Sequence, residues 1–313
     1  LQLQNHQSDQ GKHMRLWPFG KKRKGGKKGL TLNVESLAHL MDNGRLDEAC
    51  DQVKAVLGKG SAEDHFVLFN IALMVGGFDL AMQALDQIAR EEPDYSDQLA
   101  TCKQLLEDEL WRQGWHAHAD KPPSTMEEAP NFLRLQCKAW HEWLQGEEKK
   151  ALVTLETALD KRPAIVGALR THEGENIRFE DLADADTFLE PSLEVLSPSR
   201  YFLVPWSDLV SLEMEESQNV FESVLMSGSI QTRSGTSGSV WLPTLYAGSH
   251  EDEDDGVRTG GKTKWTWVEE GFAIGAGQRV LRVLPADAAE SDEEGVSVAW
   301  RHIRSVRIED VVY

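Results

Sequence analysis

Cysteine and long apolar runs are both scarce in this sequence of 313 residues. The three cysteines, Cys50, Cys102 and Cys137, are far apart, and none belongs to a Cys-x-x-Cys pair. We therefore expect reduced thiols and no disulfide framework. No window approaches the roughly 20 consecutive apolar residues of a transmembrane helix. No apolar stretch follows the basic N-terminus, so a signal peptide is not predicted either. Together these absences predict a cytoplasmic protein.

Basic residues are scarce as well, and they are unevenly distributed. The chain has 33 Lys and Arg against 52 Asp and Glu, which gives a formal net charge of −19. Eight of the basic residues lie in residues 1–29, where the single acid is Asp9, so the rest carries 25 basic and 51 acidic residues. A body this acidic repels phosphate backbones, and we predict no nucleic-acid partner for it.

Residues 1–29 form a basic tail that is too poor in apolar residues to bury a core, so we predict that it is disordered. Its one apolar island is Leu16-Trp17-Pro18-Phe19. Aromatic residues beside cations favour the surface of an anionic membrane, so a weak membrane contact is one interpretation of the tail. An unstructured, solubilising tail is the other.

Residues 30–163 have apolar residues at helical spacing, and a pattern recurs within them. In the later part of this region, helices are predicted at about 95–115, 131–144 and 147–161. The repeated element is a glycine followed five residues later by an alanine, at Gly44–Ala49, Gly76–Ala81 and Gly146–Ala151. Small residues at fixed spacing are typical of tetratricopeptide-like helix pairs, in which the alanine lets two helices pack closely. An irregular helical bundle is the alternative interpretation.

Residues 164–313 change to short alternating runs bounded by Gly, Pro, Ser and Asp, which indicates strands. We predict nine strands, at 193–196, 201–204, 210–214, 229–232, 240–242, 266–268, 279–284, 296–300 and 305–308, and one helix at 219–226. The sequence therefore predicts an α+β protein. A tetratricopeptide-like α-helical domain at 30–163 is followed by a small mixed-β domain at 164–313.

The second region also contains an internal echo. The pattern Phe202-x-Val204-x-Trp206-x-x-Leu209 to Met214 returns 94 residues later as Val296-x-Val298-x-Trp300-x-x-Ile303 to Ile308. Each copy predicts a strand, a tight turn that contains a tryptophan, and a second strand. Two such units in one sheet would bury both tryptophans in the same kind of core. Duplication and chance both remain possible origins of the echo.

The sequence offers little for catalysis or for metal binding. It has no P-loop and no dinucleotide fingerprint. His116-x-His118, with Glu109 or Asp120, could hold a metal, but this segment is predicted to be a fraying helix end where histidines are usually solvated. The acidic run at 251–255 lacks the spacing of an EF-hand. We predict no metal, no cofactor and no catalytic residue.

The alternative hypothesis is an enzyme, a hydrolase that uses a carboxylate pair such as Asp184 and Asp186. We expect their side chains to point apart, so they do not form a ready acid–base pair. The stretch 181–184 also resembles the polar start of a loop or short helix, where aspartates cap backbone donors. The favoured hypothesis is a non-enzymatic adaptor that holds a partner helix. An enzyme requires a pocket with converging polar groups, whereas an adaptor requires an apolar groove.

Several ordered motifs give this chain a specific resemblance. They are Asp184-Ala-Asp186, Leu193-Glu-Val195, Arg200-Tyr-Phe-Leu-Val-Pro205, Val240-Trp-Leu-Pro-Thr-Leu-Tyr-Ala-Gly-Ser249, Arg258-Thr-Gly260, Thr263-Lys-Trp265 and Gly277-Gln-Arg279. With the helical half before them, they resemble the ImpE/TagJ family of type VI secretion accessory proteins over residues 33–280. The sequence departs from the family in its basic tail, in Ala247 where proline is common, and in the acidic loop after Ser249.

The resemblance implies a cytosolic, non-enzymatic role. It also implies a partner, because some members of the family are thought to bind the N-terminal helix of the small contractile-sheath subunit. Tyr201, Trp241, Leu245 and Tyr246 lie where aromatic residues, prolines and strand ends coincide, so we predict them as partner-binding residues. Trp241 and Leu245 could instead belong to the core. Tyr201 and Tyr246 are expected to keep the hydroxyl wet and the ring on the surface.

Overall fold

The computed structural model describes residues 32–124, 129–197, 199–215, 224–286 and 295–312. The predicted disorder of residues 1–29 and their membrane contact lie outside these residues. The first half of the described chain is helical, as predicted. Its helices are α1 (Val34–Asp42), α2 (Leu46–Lys54), α3 (Ala62–Met74), α4 (Phe78–Glu91), α5 (Ser96–His118), α6 (Asn131–Leu144) and α7 (Glu148–Leu159).

Six of these helices form three hairpins, α1–α2, α3–α4 and α6–α7, and the glycine–alanine pattern explains their geometry. Gly44, Gly76 and Gly146 lie in the three connections with φ of +65°, +68° and +76°, a left-handed conformation that residues with a Cβ rarely adopt. The alanines at 49, 81 and 151 follow on the second helix of each hairpin, and all three are fully buried. Between the second and third hairpins, α5 is a single helix of 23 residues. The tetratricopeptide assignment itself stays a prediction.

The second half is built on a ten-stranded sheet, which makes the fold α+β as predicted. The strands are β1 (Ala164–Thr171), β2 (Asn176–Asp184), β3 (Ser192–Ser197), β4 (Arg200–Pro205), β5 (Leu209–Met214), β6 (Leu225–Thr232), β7 (Ser237–Pro243), β8 (Thr263–Glu269), β9 (Phe272–Gly277), β10 (Val280–Pro285), β11 (Val296–Ala299) and β12 (Ile303–Val312). The order is β11-β10-β2-β1-β12-β5-β6-β7-β3-β4, and β8 and β9 form a separate hairpin. The pairs between these strands are antiparallel.

All nine predicted strands overlap observed ones, but β1, β2 and β9 were not predicted. The interpretation of 181–184 as a loop or helix start is wrong, because these residues end β2. The predicted helix at 219–226 is wrong at its end, where Leu225 and Met226 begin β6, and its remainder falls mostly outside the described residues.

The internal echo is confirmed as a structural repeat. In each copy a strand leads into a 3-10 turn, Trp206–Asp208 or Trp300–His302, and then into a second strand. Both tryptophans are buried, and their ring centroids lie 6.4 Å apart in an edge-to-face arrangement. The second strands, β5 and β12, pair with each other through Leu212 and Val306, which are equivalent positions of the two copies. The repeats therefore meet across an approximate local twofold axis.

The helices pack against the half of the sheet that contains β3, β4, β6 and β7. One apolar cluster joins helical residues to Leu196, Tyr201, Leu203, Leu225 and Trp241. A second cluster lies within the sheet region and contains both echo tryptophans. All three cysteines are free thiols. Among the described residues, no helix combines the length and the apolar character that crossing a membrane requires.

Candidate functional site

A buried group of charged residues, which we call the ion network, joins α5 to the sheet. Arg112 of α5 donates to Glu109 through Nε (2.9 Å) and Nη2 (2.8 Å), and its Nη1 donates to Glu194 Oε2 of β3 (3.2 Å). Arg279, between β9 and β10, donates from Nη1 to the same Oε2 atom (3.0 Å). Arg279 also donates to Asp184 Oδ2 of β2 from Nε (3.1 Å) and Nη2 (2.5 Å). Two guanidinium groups thus pair with three carboxylates away from solvent.

The other oxygen of Glu194 accepts from two further side chains. Tyr201 donates its hydroxyl to Oε1 (2.6 Å), and His116 Nε2 of α5 lies 2.8 Å from the same atom. Burial opposes the negative charge of Glu194, but the neighbouring Arg112, His116 and Arg279 hold its pKa well below the usual range. Glu194 is therefore ionised at neutral pH and is the common acceptor for the helical and sheet sides.

Asp184 and Asp186 enter the same interior, although we expected their side chains to point apart. Asp184 is the last residue of β2, and Asp186 lies in the bend that follows, where the alternation of side chains along a strand no longer applies. Asp184 Oδ1 accepts from the Tyr246 hydroxyl and from the Asp186 backbone N–H (both 2.9 Å). Burial, and secondly the charge of Asp184, raise the pKa of Asp186 to about 7. Its two oxygens accept the backbone N–H groups of Phe188 (2.9 Å) and Gly275 (2.8 Å).

A cleft of about 440 Å³ lies beside the ion network, between α5, α6, β9 and the loop after Tyr246. Its apolar lining includes Phe78, Leu110, Trp140, Phe188 and Ile274, and its polar lining includes Gln113, His116, His118, Asp186, His250 and Glu251. Leu110 is one of the exposed large apolar residues of the protein, with 39% of its surface accessible. His116 and Asp186 belong to both the lining and the buried interior, so the network forms part of the cleft wall.

The loop after Tyr246 is fixed on both sides. Ser249 Oγ donates to the carbonyl of Tyr246 (2.6 Å) and accepts from the N–H of Gly277 (2.7 Å). The N–H of Gly248 donates to Gln113 Oε1 of α5 (2.8 Å). The ring of Tyr246 lies against Gly275, where a Cβ would come within 2.4 Å of it. Only glycine therefore lets the tyrosine fill this corner of the cleft.

The four residues that we predicted as partner contacts are all buried, at 0% exposure for Tyr201, 5% for Trp241, 7% for Leu245 and 2% for Tyr246. The expectation of surface rings with wet hydroxyls is wrong for both tyrosines, because each hydroxyl donates to a buried carboxylate of the network. Trp241 is core, which was the alternative interpretation. Tyr246 alone of the four lines the cleft. A role of these residues in partner binding stays a prediction.

Several of the possible metal ligands are engaged elsewhere. Glu109 is paired with Arg112, and His116 contacts Glu194. In the acidic run, Asp252 is paired with Lys264 at 2.8 Å. No group of three or more His, Cys, Asp or Glu side chains in the described ranges is placed to hold a metal ion.

Sequence reasoning missed Arg112, Glu194 and Arg279 as parts of a site. Two signals were available, because Glu194 interrupts an apolar strand within Leu193-Glu-Val195 and Arg279 ends Gly277-Gln-Arg279. A charged residue at a fully buried position requires a partner of opposite charge. Leu193-Glu-Val195 and Gly277-Gln-Arg279, two motifs that are far apart in sequence, thus meet in the ion network.

Comparisons with known proteins show a family similarity and a shared fold. The ImpE protein family matches residues 176–292. Over 254 residues the chain is 27% identical to the type VI secretion system accessory component TagJ of Pseudomonas aeruginosa, covering 80% of this chain and 86% of TagJ. The crystal structure of protein VPA1032 from Vibrio parahaemolyticus has the same fold, with a TM-score of 0.74, 16% identity, and coverage of 88% of this chain and 98% of that one. The resemblance to the ImpE/TagJ family that the sequence motifs predicted is therefore confirmed.

Proposed function

We propose that this chain is a non-enzymatic, cytoplasmic accessory component of a type VI secretion system, and that it binds a helix of a protein partner in the cleft. The similarity to TagJ supports the first part of the proposal. The second part depends on one observation, the accessible apolar surface between α5 and α6. By the family resemblance, the partner is the N-terminal helix of the small contractile-sheath subunit.

The lining of the cleft suits a helix better than a small polar substrate. Leu110 of α5 and Trp140 of α6 offer apolar surface, and Phe188 stacks edge-to-face on Trp140 with centroids 4.9 Å apart. An amphipathic helix binds by placing apolar side chains into such a surface, and a few buried contacts supply most of the affinity. The volume of about 440 Å³ admits a few side chains of the partner.

The ion network supports this function by fixing the walls of the cleft. Arg112 lies two residues after Leu110 on α5, and it is bonded to both Glu194 and the Leu245 carbonyl. These bonds hold α5 at a set distance from the sheet. Tyr201 and Tyr246 act from beneath the surface in this proposal, because their hydroxyls orient the carboxylates to which the arginines bind.

A hydrolase-like activity is the second candidate, and Asp186 is the observation that favours it. A carboxyl group with a pKa of about 7 at the wall of a cleft has the property that a general base needs. However, both of its oxygens accept backbone N–H groups, and Asp184 is neutralised by Arg279. These bonds orient a turn and a buried pair, so the adaptor is the better supported function.

The test is a titration of a fluorescent peptide, the N-terminal helix of the sheath subunit, against the wild-type protein and Leu110→Asp. We expect the variant to bind about tenfold or more weakly, because a carboxylate replaces an apolar contact in the cleft. Val153→Asp is the matched control, since Val153 is also an exposed apolar residue on a helix (63% accessible) but lies outside the cleft lining. Equal affinities of the two variants, with equal circular dichroism spectra, would contradict binding in the cleft.

A further inference from the structure

An acidic surface adjoins the cleft, and the two share lining residues. The acidic patch is an open depression of about 540 Å³ whose carboxylates are Asp47, Glu48, Glu251, Asp252, Glu253 and Asp255. His250 and Glu251 line both the cleft and the patch. A ligand that crosses this boundary therefore meets apolar residues on one side and carboxylates on the other.

The patch retains an excess of negative charge after its internal ion pairs are considered. Arg258 is bonded to Asp47 (2.8 Å) and Asp255 (3.0 Å), and Arg45 is paired with Glu48. Lys264, from outside the lining, is paired with Asp252. Arg45 and Arg258 are the two cationic residues of the lining, against six carboxylates. Burial lowers the pKa of His250, which keeps this residue neutral at neutral pH. The surface thus favours a cationic ligand with an apolar element.

Residues 15–28 of this same chain combine these two properties. The segment contains seven basic residues and no acid, and Leu16, Trp17 and Phe19 precede its main basic run. Its order, an aromatic island followed by cations, matches a cleft followed by an acidic patch.

The covalent connection permits this contact. The described chain starts at Leu32, whose N–H donates to Asp64 Oδ1 (2.9 Å), and α1 then leads to Gly44–Glu48 on the patch itself. The 13 residues from Phe19 to Leu32 span up to about 45 Å when extended. Helix α1 has nine residues and is only about 14 Å long. This reach exceeds the length of α1, which separates Leu32 from Gly44–Glu48 on the patch.

We propose that residues 15–28 bind in cis across the cleft and the acidic patch, with Trp17 and Phe19 in the cleft and the lysines on the patch. The tail then occupies the surface that the partner helix requires and competes with it. The competition depends on the proposed function, whereas the cis contact does not. A partner has to displace the tail, which lowers its apparent affinity for the full chain.

Carbodiimide cross-linking of the full chain tests the contact without any partner. This reagent joins a lysine to a carboxylate only when the two are in contact. We expect links from Lys21–Lys28 to Asp47, Glu48, Glu251 and Glu253, identified by mass spectrometry. Mixing ¹⁴N- and ¹⁵N-labelled protein separates links within one chain from links between chains. High salt should abolish the links, because 1 M salt shortens the screening length to about 3 Å.

Two pairs of variants distinguish a specific site from general attraction. Trp17→Ala with Phe19→Ala keeps every cation and should lower the yield of links about fivefold or more, because the aromatic anchors are lost. The double variant Glu251→Gln with Glu253→Gln removes two charges from the patch and should reduce the links to Asp47 and Glu48. The control is Glu148→Gln with Glu156→Gln, which removes two charges at exposed positions of α7 and should leave these links unchanged.

Three results would overturn the cis contact. Links distributed over all exposed carboxylates, links only between chains, or an unchanged yield for the aromatic double variant would each do so. A tail that forms no links in solution but carries the protein onto phosphatidylserine vesicles would establish the membrane interpretation instead. Because no partner peptide is present, none of these results bears on helix binding in the cleft.

Discussion

Replacing Glu194 with glutamine tests whether the charge of one carboxylate holds the ion network together. Glu194 is fully buried, and its two oxygens accept four hydrogen bonds, from Arg112, Arg279, His116 and Tyr201. Glutamine has nearly the same shape, but it has a single oxygen, and its NH₂ group must face two of the four donors. The substitution therefore removes charge and hydrogen bonds without creating a cavity.

The expected cost follows from these bonds. A hydrogen bond to a charged group contributes about 1.5–3 kcal/mol and a neutral one about 0.5–1.5 kcal/mol, so each surviving bond weakens by about 1 kcal/mol. Breaking a buried ion pair costs about 3–5 kcal/mol because the remaining charge stays buried. Arg112 retains Glu109 and Arg279 retains Asp184, so we expect about 3–4 kcal/mol, the lower part of that range.

Urea unfolding, followed by circular dichroism and tryptophan fluorescence, measures this loss, and hydrogen exchange reports whether the amides of α5 open first. Glu180→Gln is the control, because Glu180 is exposed on β2 and should change stability by no more than about 0.5 kcal/mol. A loss below about 1 kcal/mol for Glu194→Gln would refute the reasoning that a buried charge organises the site.

The pH dependence of Glu194→Gln provides an independent check. The pKa of Glu194 is held well below its usual range, so the carboxylate contributes stability above its unfolded pKa, and this contribution is lost as pH falls through the folded pKa. The difference between wild type and variant should therefore be constant at neutral pH and should shrink only in acid, below about pH 4. A difference that shrinks near pH 6 would assign the effect to another group.

Three further predictions concern the core and the cleft. Ala81→Trp and Ala151→Trp should each lower the free energy of unfolding in urea by about 1–3 kcal/mol, because both alanines are fully buried between helices. Unfolding midpoints equal to that of the wild type would mean that the helices do not pack closely at these positions. Tyr246→Phe should cost about 1–2 kcal/mol in the same assay, since Asp184 loses a hydroxyl donor while the ring remains, and an unchanged midpoint would argue against that bond. Asp186→Asn should gain stability relative to wild type as pH rises from about 4 to 7, by up to about 1.4 kcal/mol per pH unit. The reason is that the pKa of Asp186 is raised to about 7 in the folded state, so ionising this carboxyl lowers the free energy of unfolding of the wild type. Parallel pH profiles of the two proteins would exclude the raised pKa.

The helical half was predictable because its signals are local. Gly44, Gly76 and Gly146 occupy positions that need a left-handed backbone, and the spacing of apolar residues around them follows the period of a helix. The two echo units were predictable for the same reason, since each is a continuous segment. Each copy shows the strand–turn–strand pattern within its own sequence, and this pattern is enough to predict the burial of Trp206 and Trp300.

The strands that were missed have weak local signals. Four of the six residues in Phe272–Gly277 are glycine or alanine, which gives this stretch little intrinsic preference for a strand. In β1, Gly167 lies where a Cβ would come within 2.0 Å of the Arg307 carbonyl oxygen, so a residue that looks like a strand breaker is required by close approach of β12. In both cases the neighbouring element decides the conformation.

The site could not be assembled from sequence because its bonds join distant positions. Arg112 and Glu194 are 82 residues apart, and Asp184 and Arg279 are 95 apart. Local reasoning treats each of these charges as solvated, and it treats Tyr201 and Tyr246 as residues at exposed strand ends. Only the packing of α5 on the sheet places the charges out of water and turns both hydroxyls inward.

The position of β12 has a consequence for how the protein is made. Ile303–Val312 lies between β1 and β5, so among the described strands it alone is hydrogen-bonded both to the four strands on one side of the sheet and to the five on the other. During synthesis, β1 and β5 leave the ribosome long before this segment, and each then presents an unpaired edge that can bind other chains. Pairing of β1 with residues some 140 positions later is a slow, non-local step. A chain cut before residue 303 should therefore aggregate, and it should depend on chaperones for the whole time that the two half-sheets wait for their central strand.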